Sequence, residues 1–212
     1  MSRLNYSLTV STIVFVTVLA AAYTIPSAGT SPKRFVAIDS LVVRQVAGDA
    51  LAQTAYTNSY DPAYVKLTYP NGDVPRETGV CADVVIRALR KGGVDLQQSV
   101  HEDMLRDFAA YPHLWGLTKP DPNIDHRRVP NLMRFFERQK KSLPVTHDPQ
   151  DYQPGDVVAW DTGGNHPHTG ILSNAVCADS PCRHCVVHNI GAGARLEDVL
   201  FTWRIIGHYR PF

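Results

Sequence analysis

The chain has 212 residues, a formal charge of +1 and 44% hydrophobic content. That is long enough to bury a sizeable core, too apolar for general disorder, and without the concentration of Lys and Arg that a nucleic-acid-binding face requires. One folded domain with no nucleic-acid partner is the expectation.

At the N-terminus, Arg3 precedes a mostly apolar run from Leu8 to Ala22, which is followed by Pro26-Ser27-Ala28-Gly29. Residues 1–28 therefore read as a signal peptide or an N-terminal anchor, and the small residues closing the run favour cleavage after Ala22 or Ala28. No later stretch is apolar and long enough to span a bilayer, so membrane attachment is expected only through this segment. Residues 29–212 are then a single exported domain, periplasmic or secreted.

Residues 36–56 are apolar and Ala-rich without Pro, and predict a first helix. Asp61-Pro62 and the loop Tyr69-Pro70-Asn71-Gly72-Asp73-Val74-Pro75 are turns that deliver the chain to Cys81. A helix opens at Cys81, has Val85, Ile86 and Leu89 at helical spacing, and stops at Gly92-Gly93. Another helix is predicted from about Leu96 to Ala109. Residues 112–130 are irregular, which in a compact domain usually marks a functional loop. Pro130 then starts a further helix carrying Leu132, Phe135 and Phe136. From Tyr152 onward the pattern becomes strands: Val157 to Trp160 after a Pro-Gly-Asp turn, His168 to Leu172, Val186 to Asn189 and Trp203 to Tyr209. Helices first and strands later imply an α+β fold, with N-terminal helices packed on a C-terminal antiparallel sheet.

The four cysteines divide unequally. Cys177, Cys182 and Cys185 cluster between two predicted strands, where an exported chain favours a hairpin-tip disulfide with one thiol left over. The alternative is structural zinc held by Cys182-Arg183-His184-Cys185 with His188. Cys81 stands alone at a helix N-terminus, beside free N–H groups and the positive end of the helix dipole, which favour thiolate. Its bland reading is a buried small hydrophobe. With His168 and His188 on downstream strands, the pattern points to a nucleophile and its base.

The order of Cys81, Pro154-Gly155-Asp156-Val157-Val158, His168-Thr169-Gly170-Ile171-Leu172 and His188 resembles the NlpC-type branch of the papain-like cysteine peptidases. The chain is also similar, from about Tyr60 to Tyr209, to an exported bacterial family known as domain of unknown function 1287. That likeness is carried by Gly79-Val80-Cys81-Ala82-Asp83, Val100-His101-Glu102-Asp103-Met104, Asn123-Ile124-Asp125-His126-Arg127-Arg128-Val129-Pro130, His188-Asn189-Ile190-Gly191 and Gly207-His208-Tyr209. Val80 stands where the papain-like pattern has Asp, and Ala82-Asp83 where it has Ser-Gly.

The resemblance implies a papain-like domain whose Cys81, His168 and His188 form a Cys-His-His triad that hydrolyses amide bonds in peptidoglycan stem peptides, with no metal or organic cofactor. Asn189 is the alternative to His188, because adjacent strand residues face opposite ways and one alone can orient the base. Tyr69, upstream of Cys81, is expected to help hold the oxyanion; a core tyrosine is the alternative. His126, Arg127 and Arg128 are expected either to bind substrate carboxylates or to form a salt-bridged knot. Two other functions fit the same pattern: a non-catalytic wall-binding protein with a papain-like shell, and a thiol acyltransferase.

Overall fold

The computed structural model describes Met1 and residues 41–212. The expected export segment, apart from Met1, and the first residues of the first expected helix lie outside the described residues. Among the described residues, no helix is long and apolar enough to cross a membrane.

Among the described residues, four α-helices precede five strands: α1 (Leu41–Ala52), α2 (Cys81–Lys91), α3 (Leu96–Arg106), α4 (Val129–Arg138), β1 (Val157–Asp161), β2 (Pro167–Cys177), β3 (Ser180–Asn189), β4 (Ala194–Glu197) and β5 (Arg204–Tyr209). The strands form one antiparallel sheet in the order β4-β3-β2-β1-β5. The α+β class inferred from the sequence is the class observed. Boundaries differ, most of all at the β2–β3 hairpin, whose strands extend to Cys177 and start at Ser180. The helix expected to reach Ala109 ends at Arg106, and a separate single-turn helix covers Phe108–Ala110. β4 was not anticipated, because four residues without a β-branched side chain carry almost no strand signal.

Alternation along each strand gives the sheet two different faces. On one, Val157, Ala159, Ile171 and Val187 pack against Val84, Val85, Ala88 and Leu89 of α2. Every residue of α2 from Cys81 to Leu89 is buried. Each large aliphatic side chain so buried stabilises the fold by roughly 1.5–3 kcal/mol. On the other face, Val158, Trp160, Leu172 and Val186 form a second core with Tyr152 and Leu200, and Trp203 packs against it.

The start of α2 is fixed by Asp83. Its carboxylate accepts the Val80 N–H at 2.6 Å, reaching back across the first turn to a donor the helix leaves unsatisfied. At the other end, Gly93 takes φ +85°, a left-handed conformation that ends the helix cleanly.

Candidate functional site

Cys81 is the first residue of α2 and lies on the floor of a cleft of ≈ 300 Å³, also lined by Tyr60, Trp115, Arg127, Arg128 and Pro167. The thiol is directed at the β2 backbone, where the Thr169 N–H bonds to it. The nucleophile candidate therefore touches the strand one residue from His168.

His168, His188 and Glu197 form a row across three neighbouring strands. Gly170 of β2 pairs with His188, and Val186 of β3 pairs with Glu197, so each side chain is a diagonal neighbour of the next on one face. His168 Nε2 lies 2.9 Å from His188 Nδ1. His188 Nε2 lies 2.7 Å from Glu197 Oε2. Trp160, which pairs with His168, stacks on its ring, and Trp203 lies edge-on to both imidazoles. A Cβ on Gly170 would come within 3.0 Å of the His188 Cβ and closer still to Val186, so glycine is what lets the row fit.

Both partners rest in their neutral forms. Burial pushes the Cys81 thiol up to about 11, and nearby Asp83 adds to this, while the N–H groups of Thr169, Ala82 and Cys81 pull the other way. The low thiol pKa expected from the helix terminus is therefore overturned by desolvation. Burial pushes His168 down to about 3, helped by neighbouring His188. His188 is also lowered by burial, and Glu197 opposes that shift. Among the described residues, the thiol and the His168 ring make no direct hydrogen bond; such contacts are often long in ligand-free sites and tighten with substrate. Nε2 of His168 is engaged by His188, and its Nδ1 is the other ring nitrogen.

The other sequence-derived candidates separate. Asn189 turns away from the histidine row and donates to the carbonyls of Ser59 and Gly79, pinning the segment that leads into Cys81. His188 is thus the residue beside His168. Tyr69 is exposed, packs edge-on against His101, and is not among the cleft residues. Tyr60 is there instead: it lines the cleft, and its hydroxyl pKa is raised by burial and then by Cys81 itself.

His126 is buried outside the cleft lining, and burial pushes it down to about 4. Arg127 lines the cleft but is committed to Asp83 by two 2.9 Å contacts and to the carbonyls of Ala63 and Asp61. Arg128 lies over the Trp115 ring at 4.2 Å, is 3.8 Å from the Asp125 carboxylate and keeps a side-chain exposure of 18%, so it is the less committed of the two cleft cations. Of the clustered cysteines, Cys177 and Cys185 form a disulfide and Cys182 is an exposed free thiol. His188, engaged by His168 and Glu197, does not join that cluster.

Glu197 and Tyr60 escaped the sequence reading for physical reasons. Glu197 sits on the short strand after Gly191 and Gly193, and only the β3–β4 register brings it to His188. Tyr60 lies in a loop that has no regular period to place it.

Residues 47–211 match the family described as Domain of unknown function (DUF1287). The chain belongs to this DUF1287 family. A relative from Escherichia coli (strain K12), Uncharacterized protein YijF, is 53% identical over 181 residues, which cover 85% of this chain and 87% of the relative. Among solved structures, a protein of Staphylococcus aureus subsp. aureus Mu50 described as similar to lipoprotein, NLP/P60 family, is 13% identical with a TM-score of 0.38. The match covers 84% of the DUF1287 chain, which spans only 44% of that protein.

Proposed function

We propose that the chain is an exported cysteine hydrolase that cleaves amide bonds in peptide stems of the bacterial cell wall. The observation that carries this reading is the placement of Cys81 against the β2 backbone beside His168, the first member of the histidine–histidine–carboxylate row. His168 Nδ1 takes the thiol proton as sulphur attacks the amide carbonyl. The imidazolium then gives that proton to the amine as the C–N bond breaks, leaving a thioester on Cys81. Water, deprotonated by the same imidazole, hydrolyses the thioester, releasing a carboxylic acid and restoring the thiol. The Cys81 N–H, in the unpaired first turn of α2, and the Tyr60 hydroxyl are the donors proposed for the oxyanion.

The cell-wall substrate is drawn from the sequence resemblance and the export segment. The cleft adds chemistry to it: its charged lining consists of Arg127 and Arg128, with no carboxylate among the lining residues. That lining suits a peptide bearing a free carboxylate near the scissile amide, held by Arg128 on its Trp115 platform.

A wall-binding protein with an inert thiol is the second reading, and the burial that raises the thiol to about 11 favours it. Incubating the protein with purified sacculi and identifying the soluble products by mass spectrometry separates the two. Fragments carrying a new amine and a new carboxylate support the hydrolase; retention of the protein on intact sacculi without fragments supports the binder.

A further inference from the structure

We propose that Glu197 is a positioning residue that sets the tautomers of both histidines and thereby leaves His168 Nδ1 bare. The argument follows from donor and acceptor bookkeeping along the row. The Glu197 carboxylate offers only acceptors, so the 2.7 Å contact requires a proton on His188 Nε2. Burial keeps His188 neutral, so its Nδ1 carries a lone pair and no proton. The 2.9 Å contact between that Nδ1 and His168 Nε2 then requires the proton to sit on His168 Nε2. Burial keeps His168 neutral as well, and its Nδ1 is consequently the unprotonated atom.

Without an acceptor at position 197, the coupled pair can flip together to the other tautomer, and a His168 protonated at Nδ1 cannot accept a proton from Cys81. A hydrogen-bonded partner that fixes a catalytic imidazole in the right tautomer is the role a buried carboxylate plays in serine hydrolases. Here the carboxylate acts one residue further out, through a second imidazole, from a side chain 47% exposed at the sheet edge. The inference rests on the hydrolase reading only where it assigns His168 Nδ1 to Cys81; the tautomers stand on the contacts along the row and the burial that keeps both rings neutral.

The test uses the full chain in a Cys182→Ser background, which leaves Cys81 as the free thiol of the two, labelled with ¹⁵N-histidine. Long-range ¹⁵N–¹H correlation of the imidazole nitrogens reports each tautomer, and the rate of Cys81 alkylation by iodoacetamide reports the base. The parent should show protonated Nε2 and bare Nδ1 on both His168 and His188. Glu197→Ala should give mixed tautomers and alkylation slowed at least about tenfold, since a misplaced imidazole proton removes the base. Glu197→Gln, whose amide oxygen can still accept, should restore the parental tautomers and alkylate within about threefold of the parent. Nδ1 protonation of either ring in the parent, or a Glu197→Ala protein with unchanged tautomers and rate, overturns the proposal. The predicted tautomers in a protein that leaves sacculi intact would sink the hydrolase reading and leave this one standing.

Discussion

Arg127 grips Asp83 with two 2.9 Å contacts from a position 44 residues along the chain, and both side chains are almost wholly buried. Asp83 also accepts the Val80 N–H, so this ion pair sits directly behind the residue that opens α2. Removing one partner leaves the other charge buried and unpaired, a loss of about 3–5 kcal/mol. Arg127→Ala should therefore lower the urea midpoint strongly, and Arg127→Lys should recover only part, because an ammonium cannot make both contacts at once. Parental stability in Arg127→Ala, measured by urea denaturation, would contradict this account of how Cys81 is held.

Acid should weaken the protein well before ordinary carboxylates titrate. Burial holds His126 near 4 and His168 near 3 in the folded state, against 6.5 for a free imidazole. Between pH 6.5 and those values the unfolded chain binds more protons, so stability falls as pH falls, by up to roughly 1.4 kcal/mol per pH unit for each group. Asp125, raised by burial to about 6, works in the opposite direction and offsets part of this between pH 6 and 3.8. Two histidines outweigh one carboxyl. Urea midpoints should be lower at pH 5 than at pH 7.5; an equal or higher midpoint at pH 5 would show that the imidazoles are not buried neutral.

The Cys177–Cys185 disulfide closes a short loop, with a sequence separation of 8. Chain-entropy arguments assign such a loop about 2–3 kcal/mol. Replacing both cysteines with Ser should lower the melting temperature while leaving low-temperature turnover close to parental, since the bridge joins β2 to β3 away from the row's first residue. A loss of turnover at full folding would mean that the hairpin takes part in the chemistry.

Arg128→Ala should raise KM for a stem peptide with a free carboxylate about tenfold or more and leave kcat little changed, because the contact holds ground state and transition state alike. The same variant should barely alter KM for that peptide amidated at the carboxylate. Equal effects on both peptides would remove Arg128 from substrate recognition.

Much of the scaffold was legible in the sequence because it follows from period and punctuation. Leu89 and its neighbours mark α2 at helical spacing, Gly92-Gly93 end it, and Pro154-Gly155 turn the chain into β1. Cys81, His168 and His188 were legible as candidates, and the helix and strands expected to carry them are the ones observed. What lay beyond reach depended on register and on long-range pairing. The mixed charges of residues 125–128 gave no sign that Arg127 would be spent on Asp83 while Arg128 stayed with Trp115. Asn189 and His188 were distinguishable only as alternatives until the pleat assigned each a face. The thiol's raised pKa is a burial effect, and burial of one residue is a property of the packed fold.

The most direct measurement is release of soluble peptides from purified sacculi by the parent and by Cys81→Ser, both shown to be folded by circular dichroism. The account predicts fragments with new amine and carboxylate ends from the parent and a loss of at least about a thousandfold in Cys81→Ser, since a hydroxyl beside the same imidazole is a far weaker nucleophile. Release at the parental rate by Cys81→Ser would contradict the assignment of Cys81 as the nucleophile and with it the mechanism.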